Sequence, residues 1–205
     1  MTNFFMNILK ILLRDKFMFK LMPIDEKTLK LILQWRNEKR IREYMINDAM
    51  ITWQEHLNWF ENLKTRNDRE IFVFLVNHRP VGIVSFIDID RIHHHCHWGF
   101  YIGEEHVPKG CGTMMAYYAL SYAFEEYKIH KINSEVIDFN FKSINYHKSL
   151  GFEQNGKMLD ELFRDGKYVD LILFTLFKEK WDQVKKNIYR KGLAKIGIDK
   201  YENTK

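Results

Sequence analysis

Residues 107 to 127 read VPKGCGTMMAYYALSYAFEEY, and this stretch predicts a loop that leads into a long helix. Gly110 and Gly112 stand directly before a run of Met, Ala, Leu and aromatic residues typical of a helix packed on a sheet. The first N–H groups of a helix lack intrahelical acceptors and lie at the positive end of its dipole, so an anion can bind there. Glycines let the backbone approach a phosphate closely. Alone, such a loop is equally typical of an ordinary turn.

The rest of the chain predicts a mixed α+β domain, because strand-like and helix-like segments alternate irregularly. Thr52 and Glu55 form a capping box before one helix, and Asp25 is expected to cap an earlier one. In chain order we predict a strand at 17–22, helices after Asp25 and at 53–63, strands at 71–76, 81–89 and 94–102, a helix at 113–127, a strand at 131–137, a helix at 140–150, and strands at 152–159 and 168–177.

Length and charge indicate one central domain with two appended ends. A chain of 205 residues is long enough for one well-filled core and short for two. We expect an amphipathic helix at 1–16, the main domain at 17–177 and a charged helical tail at 178–205. The tail carries part of the net charge of +5, so that charge says little about the domain. No motif typical of nucleic-acid binding occurs, and we expect no such partner.

The apolar stretch 4–13 bears on the location of the protein. It is shorter than the roughly 20 residues that span a bilayer, so we expect no membrane span. A basic leader and a small-residue cleavage site are missing around it, which argues against a secretory signal. Cys96 and Cys111 form no CxxC pair, and a cytoplasmic protein is expected. The stretch should pack on its own domain or in a homodimer; its few cations make attachment to a membrane surface the weaker alternative.

Two motifs together resemble the GCN5-related N-acetyltransferase (GNAT) superfamily. The loop 107–112 is similar to its pyrophosphate loop, Gln/Arg-x-x-Gly-x-Gly/Ala, and the run 140–152 is similar to Asn-x-x-Ser/Ala-x-x-x-Tyr-x-x-x-Gly-Phe. This resemblance covers residues 17 to 177. It implies a GNAT fold, a mixed central sheet of about seven strands with two splayed parallel strands, flanked by helices. Val107 departs from the usual Gln or Arg, and His147 departs from the usual tyrosine.

The resemblance also implies acetyl-CoA as the co-substrate and no metal. In the family the pantetheine chain lies between the splayed strands, and the pyrophosphate lies at the glycine loop. Backbone N–H groups of the strand before the loop would donate hydrogen bonds to the thioester carbonyl and the pantetheine chain. The residues expected to bind the cofactor are therefore Phe100, Tyr101, Ile102, Lys109, Gly110, Cys111, Gly112, Thr113, Asn140 and Ser143.

Acetyl transfer to an amine needs a neutral nitrogen, donors for the developing oxyanion and a proton for the departing thiolate. His147 occupies the place of the family tyrosine, so we expect it to supply that proton as an imidazolium or as a hydrogen-bond donor. The alternative for His147 is a packed helix residue. Glu135 and Asp138, near the end of the strand beside the splay, are the candidate bases; either could instead be a surface charge.

Two other reactive groups are less suited to the chemistry. The Cys111 thiol could carry the acetyl group, but it lies between the phosphate-binding glycines, away from the expected thioester. The histidine-rich run 93–97 could bind a metal, but alternate residues of a strand face opposite sides and cannot converge on one ion.

The N-terminal half narrows the acceptor. The segments 33–37, 44–45, 55–60 and 98–101 resemble the N-acetyltransferases of the pseudaminic acid pathway, which acetylate the 4-amino group of a UDP-4-amino-4,6-dideoxy sugar. This resemblance implies direct transfer in a ternary complex. Arg36 could receive the diphosphate. Trp35, Tyr44 or Trp59 could stack on uracil or a sugar face, although Trp35 and Trp59 could instead pack in the core. The expected substrate-binding residues are Arg36, Asn37, Tyr44 and Trp98.

Two alternatives stay open. A GNAT enzyme could act on another amine, such as a ribosomal-protein N-terminus, an amino acid or a polyamine; a polyamine would need an acidic cleft. The chain could also be a noncatalytic module that binds an acyl-CoA, and His147 is the residue that argues against that reading.

Overall fold

The computed structural model describes residues 18–197. They form one seven-stranded sheet in the order β1-β2-β3-β4-β5-β7-β6, with six helices packed around it. The predicted helix at 1–16 and the end of the predicted tail, 198–205, lie outside these residues. The elements are β1 (Phe19–Pro23), α1 (Leu29–Asn37), α2 (Lys39–Arg42), α3 (Trp53–Lys64), β2 (Glu70–Val76), β3 (Arg79–Asp90), β4 (His95–Ile102), α4 (Cys111–Glu126), β5 (Lys131–Ile137), α5 (Phe141–Ser149), β6 (Glu153–Arg164), β7 (Lys167–Phe177) and α6 (Lys178–Ile196).

This mixed sheet flanked by helices confirms the predicted α+β architecture. Two details differ from the prediction. The short helix α2 is too brief to produce a periodic pattern. Strand β6 continues to Arg164, whereas the predicted strand ended at residue 159. A register shift against β7 between Met158 and Leu162 lets the pairing continue beyond the charged residues that follow.

The local signals at helix starts were right in one case and wrong in another. Thr52 and Glu55 form the predicted capping box, with the Thr52 N–H donating to Glu55 Oε2 at 2.7 Å. Asp25 does not cap α1: its carboxylate accepts from the Thr28 N–H at 3.1 Å, and the helix begins afterwards at Leu29. Asp25 therefore stabilises the turn that precedes the helix.

The sheet is covered on both faces, so it has two apolar layers. Strand β2 is buried almost throughout, as expected for a strand between two helix layers. Its residues Phe72, Phe74 and Val76 pack in the cluster that contains α4, while Ile71, Val73 and Leu75 pack with Trp35 of α1. Alternate side chains of β2 therefore pack against different helices, α4 on one face of the sheet and α1 on the other.

Strands β4 and β5 form the parallel pair, and they separate after a short contact. Their register joins His95 to His97 with Lys131 to Asn133. Beyond His97, β4 continues to pair with β3 as far as Ile102, while β5 stays paired with β7, its antiparallel partner from Lys131 to Ile137. One edge of β4 is thereby left open toward β5, and we call the wedge between the two strands the splay.

Helix α6 covers α4 and is an integral part of the packed structure. Trp181 is 1% exposed and its ring lies 6.4 Å from that of Phe124. Further along, Tyr189 contacts Tyr117 with ring centres 4.8 Å apart. Within residues 18–197 no helix is both long and apolar enough to cross a membrane.

Candidate functional site

The glycine loop ends in an uncapped helix start. Gly110 is the N-cap residue of α4, and no side chain bonds to the first turn, which also lacks acidic residues. The Cys111 N–H donates to Pro108 O at 3.2 Å, while the N–H groups of Gly112 and Thr113 have no side-chain cap. Lys109 is exposed beside them. The site can therefore bind an anion through backbone donors.

The two glycines of the loop have different roles. Gly110 has a φ of 99°, and a Cβ on it would lie 2.7 Å from Gly192 O of α6. It is required by the protein's own packing. A Cβ on Gly112 would meet nothing closer than Tyr146 Oη at 3.9 Å, so the space beside Gly112 is open to a ligand.

Cys111 contributes only backbone to this loop. Its side chain is fully buried in the core, and burial raises the pKa of the thiol to about 11. A thiol that is protonated at neutral pH and sealed in the core is a poor nucleophile, so the geometry agrees with discounting an acetyl-thiol route.

The open edge of β4 involves alternate residues. The Gly103 N–H bonds to Val81 O on β3. Because backbone groups of alternate residues point to opposite edges, those of Tyr101 also point to β3, whereas those of Phe100 and Ile102 point into the splay. The prediction that the backbone of Tyr101 binds the cofactor is therefore wrong. Arg40 donates to Ile102 O at 3.3 Å, which leaves the N–H of Ile102 as its open group.

Helix α5 is tied to the glycine loop by a tyrosine. Asn140 Oδ1 accepts from the Ser143 N–H at 3.0 Å, so these two expected cofactor residues hold the start of α5. The Tyr146 hydroxyl donates to Gly112 O at 2.6 Å, a contact that was not predicted from the sequence. It is Tyr146, and not His147, that contacts the loop.

His147 lies behind the site in a box of aromatic rings. It is 1% exposed, and its ring centre lies within 5.7 Å of those of Trp98, Phe152 and Phe174. Nδ1 is 2.8 Å from Ser143 O, and Nε2 has no partner among residues 18–197. Desolvation lowers the pKa of His147 to about 4.

The prediction that His147 acts as an imidazolium is therefore wrong, because a buried ring with this pKa is neutral at pH 7. The carbonyl of Ser143 can only accept, so Nδ1 carries the proton and Nε2 is left with a lone pair. In this tautomer Nε2 could only accept a hydrogen bond and cannot donate one.

Trp98 is buried away from the side of the sheet where a substrate would bind, so the prediction that it binds the substrate is wrong. It is 4% exposed and stacks on Phe152 at 5.5 Å, on the α4 side of the sheet. The side chain of Tyr101 lies on the opposite face, with α1. The alternation along β4 explains the difference.

Arg36 and Asn37 both hold the segment 43–51, which we call the acceptor loop. Arg36 Nη2 donates to Asn47 O, and Asn37 exchanges two 2.8 Å bonds with the backbone of Ile51. Arg164 of β6 reaches the same segment from the other side, donating to Glu43 O and Ile46 O at 2.8 Å and to Met45 O.

Two guanidinium nitrogens of residues that bond to the acceptor loop, Arg36 Nη1 and Arg42 Nε, are buried and have no partner in the described part of the chain. Burial also lowers the pKa of Arg36, with Tyr101 beside it acting in the opposite direction. A buried cationic donor without an acceptor is costly, and an anionic ligand would satisfy it.

The wide end of the splay carries exposed aromatic surface. Tyr44 is 42% exposed, and its ring centre lies 6.2 Å from that of Phe139, just after β5. Of the other stacking candidates, Trp35 is a core residue, 1% exposed, whose ring donates to Glu104 at 3.3 Å, while Trp59 is half-buried and stacks on His56 at 5.0 Å.

The two candidate bases lie in different places. Glu135 faces the same side as Tyr101, and its Oε1 lies 4.0 Å from His97 Nδ1, at the narrow end of the splay. Asp138 lies beyond β5, about 16 Å along the strand from Asn133, near the Lys157–Asp170 ion pair. The contact between His97 and Glu135 was not predicted from the sequence, because it joins two strands that are far apart in the chain.

The histidine-rich run offers no converging ligands. His95 approaches Asp90 at 3.9 Å and His97 approaches Glu135 at 4.0 Å, while Cys96 between them is buried with a pKa raised to about 12. Among residues 18–197, no group of three or more His, Cys, Asp or Glu side chains could hold a metal ion.

Comparisons with known proteins agree with these motifs. A family model described as "Acetyltransferase (GNAT) domain" matches residues 19–153. Spermidine N(1)-acetyltransferase of Escherichia coli (strain K12) is 24% identical over 162 residues, covering 79% of this chain and 87% of that protein. Acetyltransferase PseH of Campylobacter jejuni is 24% identical over 129 residues, covering 63% and 79%. The solved spermidine N-acetyltransferase from Vibrio cholerae in complex with CoA and spermine has a TM-score of 0.75 at 24% identity, covering 80% and 97%.

Proposed function

This chain belongs to the GNAT acetyltransferase family and is an N-acetyltransferase, and from that premise we propose that it transfers acetyl from acetyl-CoA to the 4-amino group of a UDP-4-amino-4,6-dideoxy sugar. The observation that carries this proposal is the buried, unpartnered Nη1 of Arg36 beside the acceptor loop. A sugar nucleotide has a diphosphate that could accept from this guanidinium, which is the preferred partner for phosphate.

The aromatic surface at the wide end of the splay supports the same substrate class. Tyr44 and Phe139 are exposed and adjacent, so a uracil or a sugar face could stack there. The resemblance of segments 33–37, 44–45, 55–60 and 98–101 to the pseudaminic acid enzymes, together with the similarity to PseH, points in the same direction.

In this proposal the amine approaches from the Arg36 side and the thioester from the α4 side. The neutral amine nitrogen attacks the thioester carbonyl, the N–C bond forms as the C–S bond breaks, and the thiolate takes up the proton that the attacking nitrogen releases. The N–H groups of Phe100 and Ile102 on the open edge of β4 are placed to donate to the pantetheine chain or the oxyanion. Glu135, beside His97, accepts the proton that the ammonium must lose before attack.

A polyamine is the second candidate, since three relatives similar to this chain are named spermidine N(1)-acetyltransferase. A polyamine carries several positive charges and needs carboxylates along its length. Here the acceptor loop is held by the three guanidinium groups of Arg36, Arg42 and Arg164, which outnumber its two carboxylates, Glu43 and Asp48, and this balance disfavours a polycation.

Thiol release from acetyl-CoA tests the proposal. With the purified chain, the UDP-4-amino sugar should give turnover at least about tenfold faster than spermidine at matched concentration. Glu135→Gln should lower kcat by about 10²-fold or more, while Asp138→Asn, the matched control, stays near the wild type. Faster turnover of spermidine would favour the polyamine instead, and background release with both would reject both substrate classes.

A further inference from the structure

The last turn of α6 forms one wall of the glycine loop. A Cβ on Gly110 would lie 2.9 Å from both Lys195 Cβ and Ile196 Cγ1, so these residues are in contact with the loop backbone. Gly192, one turn earlier, packs against Met114 in the first turn of α4. The C-terminal end of α6 is thus placed at the N-terminal end of α4.

Aromatic contacts fix this placement. Trp181 lies near Phe124, toward the end of α4, and Tyr189 lies against Tyr117, toward its start. The two helices therefore run antiparallel, and Lys195 arrives beside the uncapped N–H groups of α4. A long, buried contact on one side of α6 leaves little freedom in the position of its last turn.

The charge of Lys195 in the last turn of α6 favours the binding of an anion at the glycine loop. The ion pairs of α6 within residues 18–197 involve Lys178, Lys180 and Lys185, and Lys195 takes part in none of them. Val107 stands at the position where the family's pyrophosphate-loop pattern has Gln or Arg; it is half-buried against the core, and its side chain has no donor. The carbonyl end of α6 would repel an anion, and a cation in its last turn offsets that repulsion.

We propose that Lys195 binds a phosphate group of the acyl donor at the start of α4, supplying the side-chain contact that Val107 lacks. The inference rests on the proposed use of acetyl-CoA. Its ligand is a phosphate ester, and its partners are the backbone donors of Gly112 and Thr113 together with the Lys195 ammonium group.

Binding of CoA measured by calorimetry tests this role. Lys195→Gln should weaken CoA binding by about tenfold, because a charge-assisted hydrogen bond is lost, and Lys195→Arg should retain most of the affinity. The salt dependence of the affinity should also decrease in Lys195→Gln. The matched control is Lys186→Gln, about two and a half turns earlier on the opposite side of α6, which should bind like the wild type.

The outcomes separate this inference from the proposed function. If the wild type fails to bind CoA, the use of acetyl-CoA itself is rejected. If the wild type binds and the two glutamine variants show equal affinities and equal salt dependence, Lys195 has no phosphate contact. A lower melting temperature of ligand-free Lys195→Gln with an unchanged salt dependence would assign Lys195 to helix stability and would also overturn the inference.

Discussion

His147 is a residue whose motif position and whose surroundings point to different roles. The motif places it where a proton donor stands in the family, while burial among Trp98, Phe152 and Phe174 keeps it neutral. Because Nδ1 is committed to Ser143 O, the ring is best suited to filling the aromatic box and holding α5.

Replacement of His147 separates packing from chemistry. His147→Ala should lower the free energy of unfolding by about 2–4 kcal/mol, since it leaves a cavity in the box. His147→Phe keeps a ring of similar shape and should retain turnover within about threefold of the wild type, as measured by denaturant unfolding and thiol release. A loss of kcat of about 10²-fold in His147→Phe with unchanged CoA affinity would restore the proton-donor role.

The acceptor loop is an element held from two sides by long-range contacts. Arg164 is 8% exposed and lies at the end of β6, next to the tight turn at Asp165 and Gly166. Its guanidinium bonds three carbonyl groups of a segment more than a hundred residues away in the chain. This one side chain therefore couples the β6–β7 hairpin to the acceptor side of the splay.

Arg164→Lys should loosen that element. A lysine keeps the charge but cannot bond several carbonyls with one planar group, so stability should fall by about 1.5–3 kcal/mol. Amide hydrogen exchange in residues 43–51 should accelerate, and KM for the acceptor should rise while the affinity for CoA is retained. Arg66→Lys, an exposed control, should change neither quantity. Unaltered exchange in the acceptor loop of Arg164→Lys would refute the coupling.

At the scale of the whole molecule, buried histidines link stability to pH. The pKa of His147 is about 4 in the folded chain against 6.5 for the free side chain, and burial also lowers the pKa of His56. The unfolded state therefore binds more protons than the folded state between pH 6.5 and 4. The contribution of the neutral His147 to the free energy of unfolding is fully present above pH 6.5. It decreases as pH falls through this window, by about 3 kcal/mol.

Urea unfolding at several pH values measures this linkage. The free energy of unfolding should decrease steadily from pH 7 to pH 4, with a shallower decrease in His147→Phe, which has no ring nitrogen to protonate. An identical slope in the two proteins would show that His147 does not titrate on unfolding as its burial requires.

The sequence by itself determined the family, the glycine loop and most elements, because these depend on residues close together in the chain. Hydrophobic period, the Thr52–Glu55 capping box and the spacing from Asn140 to Phe152 are all local patterns. The short α2 and the extension of β6 were missed because neither has a periodic apolar pattern of its own.

Only the tertiary structure decided which groups face the site. Trp98 and His147 are removed from it because their faces pack in the core, and Gly110 is constrained by α6 from the far end of the chain. Arg164 and the acceptor loop meet across more than a hundred residues. Such contacts depend on how whole layers stack and which edges stay open, and no local pattern encodes them.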